Sequence, residues 1–342
     1  MGQLIRPKPV FSVAIPSYNH GKFIRQAIQS VLKQEDCGNL EVVIVDDFST
    51  DGSREIIREE AAADERITAV FHEENKGISS TVNEAKRLSR GEYLFTLASD
   101  DMLRQGALAR IREAFETPSP VGAVIFDGEC VGTDGKPLGY CYSDIHPKPP
   151  EDMKNVFRSL LRANFIMAGA TRTSEVRDRG ISLSEELRFL GDWVYWIDVA
   201  SVSDFRYLPE PLYIYRIHGS NSSFKDGWIE DTGKACGEIL DRHWNRIDRE
   251  NAAFLLYLEG LSYVKIGRMG KGRRDLFRSL GREPFSMQGL KTSAAFALSF
   301  MGRVGDSLLS AYGKLRFSRV NELSMHRIRK QYRKEEIEER RI

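Results

Sequence analysis

The first half of the chain alternates nearly unbroken apolar runs with segments whose apolar residues recur every three or four positions. Residues 11–17 (FSVAIPS), 41–47 (EVVIVDD), 67–71, 92–99 (EYLFTLAS) and 123–126 read as strands. Between them, residues 20–34, 53–63, 77–89 and 106–115 read as helices. In the first of these, Phe23, Ile24, Ala27, Ile28, Val31 and Leu32 share one face. Strands that are apolar on both faces and separated by helices predict an α/β fold, a Rossmann-like, mostly parallel sheet flanked by helices. The turn Thr133-Asp134-Gly135-Lys136 predicts a hairpin that interrupts the parallel order. Residues 151–162 and 192–201 read as further helices, and 205–208 and 212–217 as two short strands.

Beyond residue 226 the strand signals stop. Residues 230–280 read as helices with a break at 267–272, and an apolar, small-residue segment follows at 293–312, interrupted by Gly302, Arg303, Gly305 and Asp306. From Lys314 onward ten Lys/Arg stand against five Asp/Glu at helical spacing. The expected organisation is an α/β domain over residues 1–225 and a helical C-terminal extension over 226–342.

Composition narrows the partners. With 50 Lys+Arg against 49 Asp+Glu the net charge is +1, which points to no nucleic acid or other polyanion. The four cysteines show no metal-ligand spacing and fit a reducing compartment; a Cys130–Cys141 disulfide across the turn is the one pairing considered. Residues 1–9 lack the apolar core of a signal peptide, and no apolar run is long enough to span a bilayer, so the expected location is cytoplasmic. The C-terminal tail reads either as a solvated charged face or as a peripheral contact with the inner face of a membrane.

In an open α/β sheet, ligands bind beyond the carboxyl ends of the strands. There the first strand ends in Pro16-Ser17-Tyr18-Asn19, the second in Asp46-Asp47 and the fourth in Ser99-Asp100-Asp101. Two acidic pairs converging on one cleft repel each other unless a cation neutralises them. Oxygen ligands suit Mg²⁺ or Mn²⁺, which keep positions open for substrate phosphates. The glycine patterns of a dinucleotide fold (GxGxxG) and of a P-loop (GxxxxGK[ST]) are both missing.

Five blocks then stand in order: SVAIPSYNHGKFIRQAIQSVLKQ, EVVIVDDFSTDGS, NKGISSTVNEAKRLSRGEYLFTLASDD, LSEELRFLGDWVYWIDVA and LPEPLYIYRIHGSNSS. Over residues 10–223 the chain resembles a family 2 glycosyltransferase of the GT-A fold. The resemblance implies inverting, metal-dependent transfer of a sugar from a UDP-sugar to a hydroxyl of a carbohydrate or lipid-linked saccharide, in glycan or polysaccharide synthesis. It places Pro16, Tyr18 and Asn19 against the nucleotide base and ribose. It makes Asp47 the acceptor of the uracil N–H, with Asp46 supporting the loop. Asp101 becomes the metal ligand, Asp100 faces the ribose or donor sugar, and Asp192 is the general base. His218, with Arg216 and Ser222 nearby, falls in the loop that closes on the diphosphate, with a donor or metal role.

Two positions depart from the family pattern. Ala98 stands where many relatives carry an acidic residue, and Val82 where a basic residue is frequent, leaving Lys76 or Arg87 as substitutes. Simpler readings stand beside these roles: Asp46, Asp47, Asp51 and Asp192 as helix caps, Asp100 and Asp101 as solvated turn residues, Trp193 and Trp196 as core rather than sugar platform. Competing functions are an inactive glycosyltransferase-like glycan-binding or assembly protein and a nucleotidyltransferase; the latter lacks its glycine-rich phosphate loop.

Overall fold

The computed structural model describes residues 8–150, 152–219, 221, 227–301 and 305. In chain order the elements are β1 (Phe11–Ser17), α1 (Ile24–Leu32), β2 (Leu40–Asp46), α2 (Ser53–Ala63), β3 (Ile67–Phe71), α3 (Ile78–Leu88), β4 (Tyr93–Thr96), β5 (Met102–Leu103), α4 (Ala107–Phe115), β6 (Ala123–Val131) and β7 (Pro137–Cys141). There follow α5 (Val156–Leu160), β8 (Ala168–Arg172), α6 (Thr173–Arg177), α7 (Gly191–Ala200), β9 (Phe205–Arg216), α8 (Trp228–His243), α9 (Arg249–Lys265), α10 (Met269–Arg282) and α11 (Met287–Leu298).

The strands form one sheet in the order β3-β2-β1-β4-β8-β6-β9-β5, with β7 added to β6. Strands β3, β2, β1 and β4 are parallel neighbours, β8 is antiparallel to both β4 and β6, and β9 runs parallel to β6. This is the mostly parallel α/β sheet that the unbroken apolar runs predict. Every residue of β1 and β2 is buried because both faces are covered. Alternation sends Phe11, Val13 and Ile15 toward Ile28 of α1, Ile57 of α2 and Ile111 of α4. Ala14, Val43 and Val45 face the opposite way, into a core shared with Ala85 of α3, Val194 of α7 and Ile239 of α8.

In place of the two short strands expected at 205–208 and 212–217, β9 (Phe205–Arg216) is one strand interrupted by a bulge. Phe126 pairs with Leu208, yet the next residue, Asp127, pairs with Pro211. Pro209 and Pro211 have no N–H for the ladder, so the chain bulges past them and resumes. The resumed half of β9 also pairs antiparallel with β5, Met102 opposite Ile214 and Leu103 opposite Tyr213. That pairing pulls the Asp100-Asp101 turn against the end of β9.

The hairpin expected at 133–136 joins β6 to β7. Cys130 and Cys141 on those strands are free thiols, so the disulfide considered between them does not form. Residues 230–280 are helical as expected, with two breaks. One, at Gly267 (φ +82°), lies within the expected range. The other, before α9, arises because Asp248 caps that helix by accepting from Asn251 N, 3.0 Å. Among the described residues no helix is long and apolar enough to cross a membrane. The basic run after Lys314, like Ser222, lies outside the described residues.

Candidate active site

The polar residues at the carboxyl edge of the sheet are mostly bonded to one another. Asp46 is fully buried and accepts from Ser17 Oγ (3.1 Å), Ser49 N (2.9 Å) and Ser49 Oγ (2.5 Å), tying the end of β1 to the loop after β2. Asp47 is also buried. Its Oδ1 accepts from Lys76 N (2.7 Å) and lies 2.8 Å from His72 Nδ1, while its Oδ2 accepts from Gly77 N (2.9 Å). The carboxylate that the resemblance directs to the uracil therefore fastens the loop entering α3. Asp51 accepts from Gly21 N (2.8 Å), Ser53 N (3.1 Å) and Ser53 Oγ (2.5 Å), joining the first loop to the start of α2. Burial works against ionisation of Asp51, but these donors outweigh it and hold its pKa below the usual carboxylate value.

The aromatic rings at this edge stay open. Tyr18 is 48% exposed and Phe48 41%. Phe48 and Asn19 take positive φ, +66° and +53°. Asn tolerates that region through its short polar side chain, and here Asn19 Oδ1 accepts from Thr50 N (2.8 Å). A phenylalanine there is strained, a state that tends to persist where function requires it. Phe48 was not singled out from the sequence; nothing in DDFST marks its φ. Pro16 is buried within β1, where it pairs with Val45 of β2.

The acidic turn after β4 departs from expectation. Asp101, implied as the metal ligand, is buried with both oxygens engaged: Tyr213 OH donates to Oδ2 (2.7 Å) and Arg216 N to Oδ1 (2.7 Å). Burial and the neighbouring Asp100 push its pKa well above the ordinary value. Adjacent residues in a turn point apart, and Asp100 is the one that meets the histidines. Its Oδ2 lies 2.9 Å from His218 Nε2 and 3.7 Å from His20 Nε2. The pKa of Asp100 is lowered; burial opposes this, but the hydrogen bond from His218 and both imidazoles favour the carboxylate.

His20, Asp100 and His218 each present one ligand atom, all within 4.8 Å of one another. Two imidazole nitrogens and a carboxylate oxygen make a donor set for a divalent first-row ion, and the imidazoles suit Mn²⁺ better than Mg²⁺. The set is braced from behind: Ser99 Oγ lies 2.8 Å from His20 Nδ1, and the His218 ring packs on Phe23 at 4.9 Å. His20 was missed although it directly follows Tyr18-Asn19, because a lone histidine carries little signal before β1 and β4 are known to be neighbours.

Arg216, expected near the diphosphate, faces inward. It is 1% exposed, and its guanidinium donates to Asp100 O (3.0 Å), Thr133 O (3.1 Å) and Gln26 Oε1 (2.7 Å) over the Phe23 ring. Its work is to hold the Asp100 turn and the His218 segment together. Val82 is buried on α3, Lys76 is exposed at the loop that Asp47 holds, and Arg87 pairs with Glu84 on the exposed face.

Asp192 sits in the first turn of α7. That helix is otherwise buried, Trp193 and Trp196 included, and Asp192 is its one exposed residue. Trp193 Nε1 donates to Leu160 O (2.7 Å), which makes this ring core. The Asp192 carboxylate accepts from Asn164 Nδ2 (3.1 Å) and Trp193 N (2.8 Å). Solvent reaches it, yet enough protein surrounds it that desolvation outweighs those donors and lifts its pKa to about 6. The turn before it is clamped from the C-terminal helices: Asp231 of α8, 4% exposed, accepts from Arg188 N (3.0 Å), Phe189 N (2.6 Å) and Leu190 N (2.9 Å). On the other side Asn83 of α3 exchanges hydrogen bonds with Leu183 (both 2.9 Å), and Ser79 Oγ donates to Leu187 O (3.2 Å). Asp231 belongs to no block legible in the sequence; only the fold shows what it holds.

Comparison with known proteins bears on the fold and the family. The model of Glycosyl transferase family 2 matches residues 12–172. Chondroitin synthase of Escherichia coli is 28% identical over 236 residues, covering 68% of this chain and 33% of the synthase. The chain spans 66% and 51% of the length of two further curated glycosyltransferase relatives. Among solved structures, S. aureus TarS 1–349 in complex with UDP-GlcNAc matches with a TM-score of 0.62 at 19% identity, over 90% of each chain. A mannosyltransferase from Pyrobaculum calidifontis, in complex with GDP-Man and Mn²⁺, matches with a TM-score of 0.50 at 19% identity, over 92% of this chain and 89% of that one. These two show the GT-A fold alone. Sheet order, the acidic edge and the matched model converge on one assignment: the chain belongs to glycosyl transferase family 2.

Proposed function

We propose that the protein transfers a sugar from a UDP-sugar to a hydroxyl of a carbohydrate acceptor, with inversion, during polysaccharide or glycan synthesis. The observation that carries this reading is Asp192, an exposed carboxylate with a pKa of about 6 on an otherwise buried helix of a family 2 glycosyltransferase. Such a group is ionised at neutral pH yet basic enough to accept the proton of an attacking hydroxyl. The acceptor oxygen forms its bond to the anomeric carbon as Asp192 takes that proton. The bond to the diphosphate breaks on the opposite face, and its electron pair leaves with UDP.

His20, Asp100 and His218 would hold a divalent cation, Mn²⁺ before Mg²⁺, which when bound supplies Lewis-acid neutralisation of the leaving diphosphate. Tyr18 and Phe48 flank the nucleobase, and Asp46, Asp47 and Asp51 keep the surrounding loops in place. Residues 1–225 act as the catalytic domain, and the helices after 226 complete it through Asp231.

The test is UDP release from a panel of UDP-sugars with Mn²⁺ and saccharide acceptors. Turnover with at least one donor is expected. Absence of transfer from every nucleotide sugar, with glycan binding retained, would establish the inactive glycan-binding alternative instead.

A further inference from the structure

We propose that α10, α11 and the turn between them form a docking surface for an anionic lipid bilayer. Helix α11 already buries Gly289, Thr292 and Ala295 against its neighbours. Its opposite side, Met287, Leu290, Ala294 and Ala297, continuing to Met301, is exposed and apolar at helical spacing. A contiguous stripe of large apolar side chains left exposed on one side of a helix marks an interaction surface. The patch continues through Phe285, which is 100% exposed, to Phe277 at 66% and Phe300 at 60%.

The charge around the patch selects the partner. Residues 269–298 hold six Lys/Arg against two Asp/Glu. On the outer side of α10, exposed Arg274 and Arg278 flank Phe277 and share one buried carboxylate, Asp275, at 3.8 and 3.3 Å. Arg273 lies over the Phe300 ring at 3.9 Å, and Lys291 borders the α11 stripe. A second copy of this surface would bring like charges together, whereas an anionic bilayer accepts the rings among its acyl chains and the guanidiniums at its phosphates. The surface is independent of the catalytic groups, so the inference does not rest on the transfer reaction.

The test is flotation of the full chain with vesicles of phosphatidylcholine alone or with phosphatidylglycerol at a ratio of about 70:30. Preferential binding to the mixed vesicles is expected. Leu290→Asp should weaken it by about tenfold or more, as should Phe285→Ser, which lies in an exposed turn and cannot disturb the core. Arg274→Gln should weaken it by about fivefold, the weight of one cation at an anionic surface. Equal flotation of the wild type and these variants would overturn the proposal. So would light scattering showing a dimer that Leu290→Asp dissociates, which would give the face to a second copy.

Discussion

At the edge formed by β1, β2 and β4, the carboxylates of Asp46, Asp47 and Asp101 are buried with every oxygen accepting a hydrogen bond. At the start of α7, Asp192 also accepts two, but it stays open to solvent and is held from outside, by Asn164 beside it and by Asp231 behind its turn. The two regions divide the labour. The acidic motifs of the sheet edge chiefly fasten loops, leaving Asp100 to meet its two histidines. In the proposed reaction the proton chemistry falls to Asp192, whose surroundings raise its pKa rather than saturate it. The first region is built within the parallel sheet; the second depends on a helix more than thirty residues further along the chain.

The comparison breaks most visibly at Asp192. Asp192→Asn should lower kcat by about 10²–10⁴ while leaving UDP affinity unchanged, and turnover near the wild-type value would remove Asp192 from its role. In the wild type, kcat should rise with pH through about 6 and level off above it, because the carboxylate must lose its proton before it can accept one.

A change at the acidic turn sharpens the comparison further. Asp101→Ala strands the buried Tyr213 hydroxyl and Arg216 N–H, and should cost roughly 2–4 kcal/mol of stability, read by thermal or urea melting. Asp100→Ala should cost less stability and abolish the response to Mn²⁺. The reverse pattern would return the metal role to Asp101.

The smallest expected effect lies at Asp231. Asp231→Asn keeps the side-chain shape but weakens the three-fold clamp, and should lower kcat by about tenfold with the donor KM unchanged. It also removes a negative charge that disfavours ionisation of Asp192, so the acid limb of the pH profile should move to lower pH. A merely structural role would leave that limb in place.

Much of this was legible in the sequence, because apolar runs such as EVVIVDD admit few layouts other than a covered parallel strand. The bulge in β9 was not, since prolines argue against a continuous strand until its partner is known. The blocks brought candidate residues to one edge of the sheet but could not orient them. Asp100 and Asp101 are indistinguishable in a string, and only the pairing of β5 with β9 turns one toward Tyr213 and the other toward His218. His20 and Asp231 escaped for the same reason: each acts on residues far away in sequence, brought near by strand order and helix packing.

Calorimetric titration of UDP with and without Mn²⁺, on the wild type and Asp100→Ala, tests the central assignment most directly. Mn²⁺ should strengthen UDP binding by about tenfold or more in the wild type and have no effect in the variant. Binding that ignores Mn²⁺ in the wild type, or a gain that survives Asp100→Ala, would contradict a metal-bridged diphosphate held by His20, Asp100 and His218.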